Sequence, residues 1–295
     1  MTAAAGMSAR LGDYFKLVAF RHSIFALPFA LQGAWLAARG VPPWRSLAWI
    51  VVCAVAARTA AMGFNRFVDR RIDARNPRTQ SREIPAGRVS AASAVVLVAF
   101  ASAVFIAGAA QLNALCAWLA APVLAVLLGY SLTKRFTFLA HAFLGLALGL
   151  APLGAWLAIR GDFGGDLSIP LLLAAAVLSW VGGFDLIYAT QDREFDAREG
   201  LHSVPARFGI AAALNAARAA HVATVVLLAL LWWRADLGPV DLVAVGVAAA
   251  LLVWEHRLVN PRDLSKIDMA FFTLNGWIGV LLFVGLALDF ALGAA

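Results

Sequence analysis

The chain has 295 residues, 62% of them hydrophobic and 14% charged, and its mean hydropathy is +0.82. Soluble domains carry about 25% charged residues, so this composition excludes a soluble globular protein. Apolar runs of about 20 residues recur from end to end, which also excludes a soluble domain with a single anchor. The formal net charge of +7 has the sign needed for nucleic acid, but its placement along the chain assigns it to membrane topology, and no nucleic-acid partner is expected.

The start is polar, and Arg10, Lys16 and Arg21 precede a long first span without a small-residue cleavage pattern, so no cleavable signal peptide is expected. From Leu11 to Phe20, the apolar residues Leu11, Phe15 and Val18 recur at helical spacing, which predicts a segment lying along the membrane interface. Nine apolar helical spans follow, at residues 20–38, 46–67, 91–111, 114–133, 138–158, 170–191, 211–233, 240–258 and 270–293. Each is long enough for a hydrocarbon core of about 30 Å. The predicted fold is therefore all-α, a polytopic membrane bundle of nine transmembrane helices forming a single domain over 1–295. Cys53 and Cys116 sit apart within apolar spans and read as packing residues, with no disulfide or zinc pattern. Trp35, Trp44, Trp232 and Trp233 lie near span ends and read as interface anchors.

An odd number of spans puts the termini on opposite sides. Nineteen Lys and Arg residues fall in the N-terminal tail and in the regions after spans 2, 4, 6 and 8. Four (Arg39, Arg45, Arg160 and Arg234) fall on the other side, and Arg58 is left inside span 2. The excess places the N-terminus and the basic loops in the cytosol, in a bacterial-type inner membrane. The connections at 68–90 and 192–210 are long, polar and charged, and such loops tend to carry function. They come after spans 2 and 6, four helices apart, which hints at a duplicated four-helix unit with a ninth helix appended.

Both of these loops are entered through an acidic stripe. Asn65, Asp69 and Asp73 are spaced i, i+4, i+8 and share one helix face. Asp192 and Asp196 are again i, i+4, and Asp185 lies seven residues before Asp192, two turns back on the same face. The candidate ligands are five carboxylates and an amide, with no matching Cys or His set, which fits hard, oxygen-preferring Mg²⁺. Mg²⁺ combines one or two carboxylates with phosphate oxygens, so two facing stripes would hold a magnesium-diphosphate group. A solvated surface would also place carboxylates at helix ends. The repeated spacing argues against it, as does the depth of Asp185 in span 6, where a carboxylate is costly. Arg78 and Arg82 come after the first stripe, and Lys134 and Arg135 end span 4. Guanidinium forks and an ammonium point charge suit diphosphate oxygens.

These residues resemble the UbiA-type membrane aromatic prenyltransferases. Asn65, Asp69, Asp73, Arg78-Thr79, Arg82 and Gly87 are similar to the family's first signature, an N-x-x-x-D-x-x-x-D run followed by an R-T-x-x-R element and a glycine. Asp185, Asp192 and Asp196, with Tyr188-Ala189 among them, resemble the second. Tyr130 to Arg135 is similar to the Y-x-x-x-K-R element of the fourth helix, and Ser203 and Phe208-Gly209 to the tail after the second motif. The nine-span layout extends the likeness over nearly the whole chain. Asn76, Glu83 and His202 depart from the usual apolar residue, Pro and Lys, and bear on subfamily. The surrounding runs look most like the 4-hydroxybenzoate polyprenyltransferase-like branch, some members of which serve the futalosine route to menaquinone with a naphthoate-type acceptor.

The resemblance implies Mg²⁺-dependent transfer of a polyprenyl group from polyprenyl diphosphate to an aromatic acid in quinone biosynthesis. Asn65, Asp69, Asp73, Asp192 and Asp196 would hold the metal, and Arg78, Arg82, Lys134 and Arg135 the diphosphate. Asp185 and Tyr130 are candidates for deprotonating or orienting the acceptor. Phe64, Phe67 and Tyr188 are candidates for a dry, π-lined wall around the allylic cation, with the isoprenoid tail among lipid-facing helices. A secondary transporter is the rival from another class. Transporters place ionisable residues near the midplane on broken helices, whereas here the aspartates crowd the helix ends. A phosphoalcohol transferase would carry an acidic motif beginning Asp-Gly with interspersed small residues on one helix, and none is present.

Overall fold

The computed structural model describes residues 12–14, 16–18 and 26–293. Four residues of the predicted interfacial stretch, Leu11 and Phe15 among them, and the first residues of span 1 lie outside them. The elements in chain order are α1 (Leu27–Ala38), α2 (Trp44–Asp73), α3 (Ala91–Leu112), α4 (Ala114–Thr133), α5 (Ala140–Arg160) and α6 (Ser168–Ala189). After a 3₁₀ turn at Thr190–Asp192 come the short α7 (Arg193–Arg198) and α8 (Val204–Phe208), then α9 (Ile210–Arg234) and α10 (Pro239–Leu258). A π-helical turn at Met269–Leu274 leads into α11 (Asn275–Ala291). Among the described residues, eight helices are long and apolar enough to cross a membrane, and α1 is a further, shorter apolar helix. The all-α polytopic architecture is the predicted one.

Local chemistry sets the element ends. Ser90 caps α3 by accepting the Ser93 N–H at 3.0 Å. Asn113 alone separates α3 from α4: its Oδ1 accepts the Cys116 N–H at 2.8 Å, and its Nδ2 donates to the Leu157 and Ala158 carbonyls that end α5. The α2 helix runs six residues beyond the predicted end of span 2. Its polar last turns lie against the loop rather than in lipid, so Asp69 and Asp73 stay on regular helix. Arg70 and Arg71 in its final turn complement the helix dipole.

The α2 helix packs along α3, α5 along α6, α6 along α9, α1 along α5, and α10 along α11. Each helix that feeds a long loop thus lies against the next span. Side chains such as Phe100, Trp118 and Val243 point outward and are largely exposed, as a lipid-facing surface requires. Trp44 and Trp233 are also exposed, consistent with anchoring. Trp156 and Trp180 are buried instead, and Trp180 belongs to the main core with Phe29 and Phe184.

Close helix approach depends on glycine. A Cβ at Gly33 of α1 would lie 2.2 Å from the Pro152 carbonyl oxygen of α5, and one at Gly145 of α5 would lie 2.4 Å from the Leu178 oxygen of α6. Backbone cannot yield as a side-chain tip can, so Gly33→Ala is expected to destabilise the bundle by about 1–3 kcal/mol, read as a lower melting temperature of the detergent-solubilised protein.

Candidate functional site

Three helix ends and two loops converge at one end of the bundle. The α2 stripe supplies Asp69 and Asp73, both buried (1% and 4% exposed), with Asn65 a turn before them. Asp69 Oδ2 accepts Lys134 Nζ from the end of α4 at 2.5 Å and Asn65 Nδ2 at 3.3 Å, while Oδ1 accepts Arg135 Nη2 at 3.2 Å. Asp73 Oδ1 accepts Arg82 Nη1 at 2.7 Å, and its buried Oδ2 has no hydrogen-bond partner.

The opposite wall is built by α6, the 3₁₀ turn and α7. Asp185 Oδ2 lies 2.7 Å from His141 Nδ1 at the start of α5. The α-helix ends at Ala189, and the 3₁₀ turn carries the chain to Asp192. The second stripe is therefore not one uninterrupted α-helical face, although Asp185, Asp192 and Asp196 all still reach the same cavity. Asp192 Oδ1 accepts Asn76 Nδ2 at 2.9 Å and Arg78 Nε at 3.0 Å, and Arg78 Nη2 donates to Oδ2. Arg78 Nη1 also donates to the Tyr188 hydroxyl at 3.0 Å, with its guanidinium carbon 5.1 Å from the ring centroid. Burial works against the Arg78 charge, but the hydrogen bond to Asp192 and that carboxylate's charge outweigh it and hold the guanidinium above its ordinary pKa.

The cavity has a volume of about 330 Å³ and is lined by Asn65, Asp69, Asp73, Arg78, Arg82, Tyr130, Lys134, Asp185, Asp192 and Asp196. Those ten are the sequence candidates apart from Arg135, which holds Asp69 and the Val68 carbonyl from outside the lining. Phe64 and Phe67 do not line it either. Phe67 lies two residues, about 200° of helix rotation, from Asn65, and packs beside Leu17, Val89 and Ala94 with Arg70 over its ring. The aromatic side chains that line it are Tyr130, Phe184, Tyr188, Phe195 and Phe271, and of these Phe184, Tyr188 and Phe271 pack ring against ring. Phe271, on the last span, is brought in by packing and had no local signal.

Other lining residues were legible but passed over. Arg58 is an arginine inside a membrane span, which is costly enough to mark function by itself, and it lines the cavity two turns before Asn65 with Arg66. Asn76, a departure from the family pattern, braces Asp192 and, through Oδ1, accepts the Arg78 backbone N–H.

Chemically, the site is an oxygen-rich mouth studded with cations above a partly apolar interior. Among the described residues no three His, Cys, Asp or Glu side chains gather at one point. The carboxylates are instead split between two walls, and Asp69, Asp73 and Asp192 are each held by a guanidinium or ammonium. With Asp73 Oδ2 buried and unpartnered, the donor set fits a hard cation completed by phosphate oxygens rather than an all-protein cage.

Comparison with known proteins finds relatives along nearly the whole chain. A family model described as the UbiA prenyltransferase family matches residues 26–278. A 4-hydroxybenzoate octaprenyltransferase from Aromatoleum aromaticum is 31% identical over 297 residues, covering 98% of both chains. One from Pseudomonas aeruginosa is 33% identical over 291 residues, covering 98% of this chain and 97% of its own. The apo structure of a UbiA homolog from Aeropyrum pernix K1 matches with a TM-score of 0.83 at 35% identity, covering 91% of this chain and 98% of that one. A UbiA homolog from Archaeoglobus fulgidus, bound to DMAPP and Mg²⁺, shares the fold with a TM-score of 0.74 at 19% identity, covering 95% and 99%.

Proposed function

The chain belongs to the UbiA prenyltransferase family, and from that premise we propose that it transfers a polyprenyl group from polyprenyl diphosphate to a 4-hydroxybenzoate-like aromatic acid in quinone biosynthesis. One observation carries this reading: two facing walls of carboxylates and cations guard a cavity whose interior carries aromatic rings and a partly buried arginine from within a membrane span, Arg58. The names of the relatives and the Mg²⁺-bound Archaeoglobus homolog support it.

Asn65, Asp69 and Asp73 on one wall, and Asp192 and Asp196 on the other, would hold Mg²⁺. When bound, the metal neutralises the diphosphate and the charge that develops on it as the leaving group. Arg78, Arg82 and Lys134 exchange their carboxylate partners for phosphate oxygens, keeping every charge paired as substrate arrives. Phe184, Tyr188 and Phe271 offer π faces to the electron-poor allylic carbon. Arg58 supplies the positive charge that an acceptor carboxylate needs inside a membrane span. Asp185, oriented by His141, takes the ring proton, and Tyr130 orients the acceptor. The mouth opens where α2, α4 and α6 end, beside the basic loops, and the excess of Lys and Arg there supports a cytosol-facing site in an inner membrane. The lipid-exposed helices give the isoprenoid tail an apolar surround.

Purified protein in vesicles, given polyprenyl diphosphates of several lengths, is expected to prenylate 4-hydroxybenzoate in preference to a dihydroxynaphthoate. Product from the naphthoate alone would move the acceptor assignment, and no product from either would overturn the reading. Arg58→Met is expected to raise the KM for the acid by about 10-fold to 100-fold with the diphosphate KM little changed, the loss of one charge-assisted contact.

A further inference from the structure

Behind the aromatic side of the cavity lies a buried polar network that the steps above do not use. Asn275 opens α11 directly after the π-helical turn and is fully buried. Its side chain reaches three elements. Nδ2 donates to Glu255 Oε1 of α10 and to the Ala270 carbonyl within the π turn, both at 3.0 Å, and Oδ1 accepts Trp180 Nε1 of α6 at 2.7 Å. Glu255 is fully buried too, and its other oxygen lies 3.9 Å from His221 Nδ1, which shares a 2.9 Å hydrogen bond with His256 Nε2. A buried carboxylate and amide in an apolar bundle are costly, and ionisable groups at membrane depth mark function.

The π turn gives this network an object. An i→i+5 turn widens the helix and re-aims its side chains, and such turns recur at functional sites. The side chain presented here is Phe271, which lines the cavity. Its ring centroid is 4.2 Å from that of Tyr188 and 5.1 Å from that of Phe184, and Phe184 stands 5.0 Å from Trp180. Trp180 therefore touches the clamp through its N–H and the cavity wall through its ring.

We propose that Asn275, held by Glu255 and Trp180, is a positioning residue that pins the π turn so that Phe271, with Phe184 and Tyr188, closes the reacting pocket to water. The proposal rests on the prenyl-transfer reading. In that reaction the allylic C–O bond breaks and its electron pair leaves on the diphosphate. The allylic carbon is then bonded either by a ring carbon, which gives up its hydrogen as a proton, or by a water oxygen, which gives up a proton to leave the prenol. A well-placed ring favours the first course by attracting the electron-poor carbon and excluding water. The ratio of prenylated acid to prenol therefore reports on the wall. A general folding defect lowers both products together and leaves the ratio alone.

The test is that ratio, measured in vesicles with a polyprenyl diphosphate, Mg²⁺ and 4-hydroxybenzoate. Phe271→Leu and Asn275→Leu are each expected to lower it by about tenfold. The double variant is expected to fall no further than Phe271→Leu alone, because Asn275 acts through Phe271. Trp180→Phe keeps an aromatic ring but removes the indole donor, and is expected to give a smaller fall. Glu255→Leu is expected to lower the ratio, and Glu255→Gln, which keeps an acceptor oxygen for Asn275, to restore most of it. An unchanged ratio in Asn275→Leu, or effects that multiply in the double variant, would overturn the proposal. If Asn275→Leu does not fold, unchanged ratios in Trp180→Phe and Phe271→Leu would do so. Wild-type protein that forms neither product would instead overturn the prenyl-transfer reading itself.

Discussion

Asp69→Ala is expected to lower prenyl transfer by about a thousandfold while the protein remains folded in the membrane. Asp69 is the middle member of the α2 stripe and is 1% exposed. It gathers Lys134, Arg135 and Asn65 around its two oxygens. Truncation removes a metal-ligand candidate and leaves two cations to repel one another and the metal. The fold tolerates this because the Lys134 side chain is 31% exposed and water at the mouth can solvate it. Asp69→Asn, which preserves shape and removes charge, is expected to lose activity comparably, and Asp192→Ala should match it on the facing wall. The check is prenylated product per unit of protein, alongside size-exclusion profile and melting temperature. Full activity in well-folded Asp69→Ala or Asp192→Ala protein would rule out these carboxylates as the metal site.

EDTA is expected to abolish transfer, and Mg²⁺ to restore it. Without the metal, the carboxylates on both walls meet the diphosphate as like charges, and Arg78, Arg82 and Lys134 cannot neutralise both. Because the carboxylates are divided between two walls, metal and diphosphate should bind cooperatively. Mg²⁺ with inorganic diphosphate is therefore expected to raise the melting temperature more than the two raise it separately, since only ligands that bind the folded state stabilise it. Zn²⁺ should restore little, because the site provides oxygens and no cysteine. Undiminished transfer in EDTA would remove the metal from the reaction.

Much of this was legible in the sequence because helix periodicity and hydropathy are local. The apolar runs gave the spans, and i, i+4, i+8 spacing put Asn65, Asp69 and Asp73 on one face. The motifs carried the family resemblance. The same logic misled where the helix departs from ideal geometry. Asp185 and Asp192 are joined through a 3₁₀ turn rather than one regular face. Phe67 is the opposite case: regular rotation of about 200° from Asn65 turns it away from the stripe.

What only the tertiary structure decided is which groups meet across the bundle. No spacing rule connects Arg78 and Asn76 to Asp192, His141 to Asp185, or Trp180 to Asn275, since each pair is joined by helix packing between segments far apart in the chain. The π turn at Met269–Leu274 is likewise invisible to a 3.6-residue period, because it is held by Asn275 reaching partners on α6 and α10. The sequence by itself determined the apolar spans and the first stripe, through interactions within single helices. The union of the two acidic walls into one cavity, and the aromatic wall that completes it, came from close packing at positions such as Gly33 and Gly145, where only the absence of a side chain lets the helices approach.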